Sequence, residues 1–270
     1  NIVYSDATKG WVPLEDDVTA LEPVAPNTQR AIFAYGNSGS VTNISNLVNS
    51  SGVVAADVSG VGTARAGLAA ATYGGDKAIF AFGSGYSNLS NLVTNQGVVG
   101  SDQTGVGTAR DYLAATSYGG DKAIFGYGNI YSGGYVIYSM KNLVSNQGVV
   151  AADVTGVGTA RRELSATTYG GDKGMFAYGN SGGATMVSLK NLISNTGVVA
   201  ADVSGVGTAR NLLAAATYGE DKSIFAYGQS SGGNVSMSNL VSNSGVIAAD
   251  VSGVGTGRAG VAAAGYSTSA

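Results

Sequence analysis

Five aspartates and five arginines stand at a fixed interval along the chain. Asp57, Asp102, Asp153, Asp202 and Asp250 precede Arg65, Arg110, Arg161, Arg210 and Arg258, each by eight residues. A carboxylate and a guanidinium at constant separation can line a ring that takes a polar ligand. Alternatively, they pair with each other or with nearby carbonyls and set how one copy sits on the next. Presence in every copy favours the structural role, because a single site needs only one copy. Asp76-Lys77, Asp121-Lys122, Asp172-Lys173 and Asp221-Lys222 read as solvated hairpin turns. Glu163 and Glu220 are unique to their copies and leave open a carboxylate pair of the kind that hydrolyses glycosides. Gly60-Val61-Gly62 has the look of a phosphate loop, but no helix follows and the Lys-Ser/Thr of a Walker sequence is missing.

The absences narrow the chemistry further. The 270 residues contain no Cys and no His, so disulfides, thiolate chemistry, imidazole acid–base catalysis and most transition-metal sites are excluded. No metal, cofactor or catalytic residue is expected. With 14 Lys+Arg against 17 Asp+Glu, the net charge of −3 offers no bulk attraction to nucleic acid or to an anionic membrane. No apolar run reaches the ~18 to 20 residues of a membrane span, so membrane insertion is not expected. Only 11% of residues are charged, and solubility rests on Ser, Thr, Asn and Gly, a composition common in secreted, surface and virion proteins. The first residue is Asn1, as expected of a processed chain or of part of a longer one.

The elements that must position these residues follow from an internal repeat of about 48 residues. Gly62-Thr63-Ala64-Arg65 recurs four more times, ending at Arg110, Arg161, Arg210 and, as Gly255-Thr256-Gly257-Arg258, at Arg258. Ala31 to Gly36 (AIFAYG) recurs ending at Gly83, Gly128, Gly179 and Gly228, and Asn46-Leu47-Val48 recurs from Asn91, Asn142, Asn191 and Asn239. In the second copy Leu68 to Tyr73 reads as a small-residue strand, Gly74-Gly75-Asp76 as a hairpin turn and Lys77 to Phe82 as a second strand. Asn91-Leu92-Val93 makes a third strand, Asn95-Gln96-Gly97 turns, and Val98-Val99 begins a fourth.

Four antiparallel strands per copy in a run of five predict an all-β fold, a five-bladed β-propeller over residues 31–270, preceded by an attachment segment at residues 1–30. The last residues, Val261 to Tyr266, match Leu68 to Tyr73 and stop where a partner strand should begin. That partner is Ala31 to Gly36, so the ring is expected to close by the C-terminal strand joining the first blade. A six-bladed ring is the alternative, with Leu21 to Pro26 as an inner strand and Asn1-Ile2-Val3 with Gly10-Trp11-Val12 as third and fourth strands.

The unit from Arg65 through Leu68-Ala69-Ala70-Ala71 and Gly74 to Gly83 resembles a kelch-type repeat. It lacks the usual double glycine after the second strand and the tryptophan near the fourth. It is also similar to repeat regions of bacteriophage tail-fibre and other virion proteins. That resemblance implies a location at the virion surface or outside the cell, and other virion proteins as partners through the N-terminal segment. It implies a non-enzymatic binding module, a tail-fibre or head-fibre adhesin for a host-surface glycan or protein. The alternatives are a capsid or tail decoration protein and, further off, a propeller glycosidase.

Recognition would fall to what the copies do not share, the loops between second and third strands. The longest, Asn129 to Lys141, carries Tyr131, Tyr135 and Tyr138, and its neighbour carries Tyr86, amid Ser, Gly and Asn. Tyrosine among small polar residues suits an adaptable recognition surface, and its ring can stack on a sugar. The competing role is packing against the blade flank or a neighbouring subunit.

Overall fold

The computed structural model describes residues 2–6, 10–13, 30–85 and 87–265. Every element among them is a β-strand. β1 (Ile2–Asp6) and β2 (Gly10–Pro13) pair as an antiparallel hairpin with Val3 opposite Val12, in a two-stranded sheet of their own. Leu21 to Pro26, the inner strand of the six-bladed alternative, lies outside the described residues.

Five repeats follow. The first holds β3 (Ala31–Asn37) and β4 (Val41–Val48). The second is β5 (Ala69–Tyr73), β6 (Lys77–Ala81) and β7 (Ser90–Val93). The third is β8 (Ala114–Tyr118) and β9 (Lys122–Gly126), then a hairpin of β10 (Asn129–Tyr131) and β11 (Tyr135–Ile137), then β12 (Lys141–Val144). The fourth is β13 (Ser165–Tyr169), β14 (Lys173–Ala177) and β15 (Lys190–Ile193). The fifth is β16 (Ala214–Tyr218) and β17 (Lys222–Ala226), a short β18 (Gln229–Ser230) and β19 (Gly233–Asn234), and β20 (Ser238–Val241).

The expected four-stranded sheet is corrected to three strands and an interrupted fourth segment. In the second repeat that segment touches β7 only at Val99, opposite Val93, and at Gln103, opposite Ser90. One side advances four residues between these bridges and the other three, so the extra residue forms a bulge. Its cause is the side chain of Asn91, whose Nδ2 donates to the Gly100 carbonyl at 3.0 Å and turns it off the ladder. Asn46, Asn142, Asn191 and Asn239 do the same to Ala55, Ala151, Ala200 and Ala248.

The apolar core lies between sheets rather than within any of them. Ile79, Phe82 and Val144 pack with Leu113 and Phe125 where the second repeat meets the third, and equivalent clusters fill the next two junctions and the first. Small side chains on β5, β8, β13 and β16 let these strands approach one another, and Thr72 and Ser117 hydroxyls lie 2.7 Å apart across the first such junction. The turns after β5, β8 and β13 tie the sheets together as well. Gly74, Gly119 and Gly170 donate their N–H to Asp121, Asp172 and Asp221 of the following repeat, each at 2.7 Å.

The described residues do not show closure by a C-terminal strand. Residues 261–265 form no strand, and β3 pairs with β4 alone. Residues 261–265 lie instead on the fifth sheet: a Cβ on Gly265 would come within 2.5 Å of the Thr217 carbonyl, and Ser117 meets the Thr72 carbonyl in the same way. This segment thus sits where the inner strand of a following repeat would sit, and among the described residues the first repeat shows only β3 and β4.

The same turn in the fifth repeat reads Gly219-Glu220, and Glu220 takes a left-handed φ of 68° where Gly75, Gly120 and Gly171 stand in the other copies. A side chain there is strained. Glu220→Gly is expected to raise stability by up to about 1 kcal/mol, the relief being partly offset by the added freedom of the unfolded chain. Urea melts of the two proteins check this, and an unchanged midpoint contradicts it.

Candidate functional site

The repeated polar residues converge on one buried node at each junction. Arg110 is fully buried, with its guanidinium 4.3 Å from the ring centre of Phe82 in the preceding repeat. Its Nε donates to the Tyr127 carbonyl at 2.7 Å, Nη1 to the Thr108 carbonyl at 3.0 Å and Nη2 to Asn142 Oδ1 at 2.7 Å. Asn142 in turn donates to Asp153, which also accepts from the backbone and hydroxyl of Thr108. The node recurs around Arg65 on Tyr35, Arg161 on Tyr127 and Arg210 on Tyr178.

Four of the five aspartates pair with the arginine of the preceding copy and not with the one eight residues ahead. The pairs are Arg65–Asp102, Arg110–Asp153, Arg161–Asp202 and Arg210–Asp250, at 3.6 to 3.9 Å. Asp57 and Arg258 form no ion pair among the described residues. Among the described residues Asp57 is held by Asn46 alone, and Arg258 lies over Tyr227 and donates to Thr256 without an Asn or Asp across from it. Burial lowers the pKa of Arg110 to about 10. At Asp153 burial pushes the pKa up, but hydrogen bonds from Thr108 and Asn142 outweigh it and the net shift is downward.

The aromatic residue of each node carries backbone strain. Tyr35, Phe82, Tyr127, Tyr178 and Tyr227 have φ between 62° and 66°, and each is followed by a positive-φ glycine. The left-handed pair turns the Phe82 carbonyl onto Arg65 Nε and the Gly83 N–H onto the Arg110 carbonyl, so one dipeptide serves two junctions.

A second backbone chain runs across the connectors. Tyr112 donates to Gly67, Glu163 to Tyr112, Leu212 to Glu163 and Gly260 to Leu212, at 2.8 to 3.0 Å, and all five residues have positive φ. The side chains on this frame break the repeat. The connectors read Ala66-Gly67, Asp111-Tyr112, Arg162-Glu163, Asn211-Leu212 and Ala259-Gly260, so three carry polar groups and two carry almost nothing. Arg162 and Glu163 form an ion pair at 3.6 Å, and Asn211 donates to Glu163 at 2.5 Å. Burial raises the Asp111 carboxyl above its ordinary pKa.

The β10–β11 hairpin stands beside this cluster, because Asp111 bridges Asn129. Tyr131 and Tyr135 are 54% and 55% exposed with ring centres 5.1 Å apart, and Arg162 lies 3.6 Å from the Tyr135 ring centre. Tyr138 is half-buried and its backbone belongs to the sheet junction, bonding Gly128 and Arg161, so it stands apart from this pair. Tyr86 lies outside the described residues. Among the described residues no group of Asp and Glu is placed to hold a metal ion.

No protein-family model matches the chain, and no curated protein matches it. Among solved structures the chain is similar to one described as "Structure of YjhT", at 13% identity and a TM-score of 0.44. The match covers 57% of this chain and spans about half, 49%, of the other.

Removing a buried guanidinium strands its Asn and Asp partners, so Arg161→Ala is expected to lose about 3–5 kcal/mol. Denaturant melts measure it. Asp102, Asp153, Asp202 and Asp250 have pKa values below the unfolded carboxylate. Their stabilisation is present above about pH 4 and is lost as pH falls through the folded values. Asp153→Asn should therefore be less stable at pH 7 and show a shallower stability loss between pH 5 and pH 2. An unchanged acid slope would contradict the node.

Proposed function

We propose that the chain closes as a five-bladed β-propeller and works as a non-enzymatic recognition module on a virion surface, reading a host-surface glycan or protein. The observation that carries this reading is the contrast between shared and unshared residues. The repeated Arg, Asn and Asp side chains are occupied at sheet junctions, whereas the exposed tyrosines of β10–β11 stand on the longest of the loops between second and third strands, at positions where the other copies carry different residues. The location and the attachment to other virion proteins through residues 1–30 rest on the resemblance of the repeats alone.

Closure is supported by two ends that complement each other. One end offers Asn46 and Asp57 without an arginine, a 56% exposed Phe33, and Gly52 with nothing against it. The other offers Arg258 on Tyr227, with Tyr218 and Leu240 each 41% exposed. At internal junctions the equivalents of these groups meet: Arg on Asn and Asp, Tyr178 on Phe225, and Gly245 against Tyr169 and Leu192. Gly67 and Gly260 are likewise the two ends of the connector chain, one bond short of a ring.

A second reading, a decoration or spacing protein, is favoured by one feature. Val53, Val98, Val149, Val198 and Val246 are exposed at the same turn in every copy, a repeated apolar edge suited to a neighbouring subunit.

Closure predicts energetic coupling between Arg258 and Asp57 in a monomer. A double-mutant cycle on Arg258→Ala and Asp57→Ala, with mass determined in solution, is expected to give at least about 0.5 kcal/mol. Additive effects sink the closed ring, and coupling seen only in multimers shows end-to-end assembly. The recognition role is tested by whole-cell binding of the chain and of a form whose loop 129–141 is cut to the length of 84–90. Binding lost with the fold intact supports it, and binding by neither protein moves the function to decoration.

A further inference from the structure

We infer that the connector cluster beneath the β10–β11 hairpin is a single binding site for an uncharged pyranose sugar. This rests on the recognition reading above and assigns it a ligand class and a location. The first ground is unmet hydrogen bonding. Six buried side-chain polar atoms lack a partner among the described residues, and four of them, Asp111 Oδ1, Asn129 Oδ1, Arg162 Nε and Asn211 Oδ1, belong to this one cluster. Buried polar atoms are normally satisfied, and a concentration of exceptions calls for an unseen partner. At the arginine nodes beside them the guanidinium nitrogens of Arg65, Arg110 and Arg210 each find a partner, and only Arg161 Nε lacks one among the described residues.

The second ground is asymmetry. A structural feature is required at every junction, but Asp111, Arg162 and Asn211 replace the alanines found in the first and last connectors. The frame that carries them is strained at Tyr112, Glu163 and Leu212, all non-glycine residues at φ between 50° and 56°. Such strain persists where a fixed geometry has a use.

The partner's chemistry follows from the atoms. Three unmet acceptors and one unmet donor suit hydroxyls, which both donate to a carboxylate or amide oxygen and accept from a guanidinium. Tyr135 keeps one face on Arg162 and is more than half exposed, which provides a platform for the C–H face of a sugar ring. Arg162 is compensated by Glu163, and Asp111 adds a negative charge, so an acidic sugar meets no net attraction. The four atoms are covered in this structure. A sugar reaches them through bridging water or by displacing the hairpin.

The test is an array of neutral and acidic glycans probed with the purified chain and three variants, alongside whole-cell binding. The variants are Tyr135→Ala, Asp111→Asn, which keeps side-chain size and the backbone bonds to Asn129, and Val98→Ser at the opposite end of the strands. Neutral glycans should bind, with at least tenfold loss in Tyr135→Ala and Asp111→Asn and none in Val98→Ser, all three melting as folded proteins. Signal confined to acidic glycans, or binding unchanged by Asp111→Asn, overturns the site. If no glycan binds but cells do so through loop 129–141, the sugar assignment fails and loop recognition stands. If neither cells nor glycans bind, both fail.

Discussion

A guanidinium taken out of water must replace its hydration almost completely, and in this fold that demand is met by groups from two successive repeats. Arg110 rests on Phe82 from one side of the junction and is bonded by Asn142 and the Tyr127 carbonyl from the other. The strand ends obey it. The left-handed aromatic–glycine pair exists to point a carbonyl at one arginine and an amide at the next, and the bulge in the fourth segment exists because asparagine claims a backbone carbonyl. The aspartate completes the network from the rim, holding asparagine and threonine in place more than neutralising the arginine, from which it stands 3.9 Å away.

Much of this architecture is legible in the residues themselves. The period, the hairpin at Gly74-Gly75-Asp76 and the strands around Ala78 to Phe82 and Asn91 to Val93 are local patterns, set by turn chemistry and side-chain alternation. What is not legible is set by partners far along the chain. The eight-residue interval between Asp57 and Arg65 suggests a pair within one copy, yet Arg65 reaches Asp102 because the chain crosses to the next sheet between them. Val98-Val99 has the composition of a strand, but the neighbouring Asn91 side chain breaks its ladder. Asn91 itself reads as the start of a strand when its amide is the hub of the node. Its presence in every copy without any turn to form was the available signal.

The candidate site divides in the same way. Tyr131 and Tyr135 are visible because they lie in the longest unshared loop. Asp111, Arg162, Glu163 and Asn211 are hidden within copies of a conspicuous pattern, one or two residues past each repeated arginine. Aligning the copies and asking where they differ, rather than where they agree, isolates them: Ala-Gly at two connectors against Asp-Tyr, Arg-Glu and Asn-Leu at the others. Shared residues build the frame and unshared ones give it a direction, so a structure of near-identical parts presents one distinct face region.

Each junction also uses the same set of node residue types as every other, and no residue of the node reaches beyond its neighbour. Recombination between near-identical copies that removed or inserted one whole repeat would leave every remaining junction chemically intact, with Tyr or Phe, Arg, Asn and Asp still in register. Repeat number is therefore a free variable as far as local contacts are concerned, and curvature is the only property that counts copies. Loops between the second and third strands would travel with their repeats, so shuffling of the coding sequence redistributes surface features without disturbing the interior.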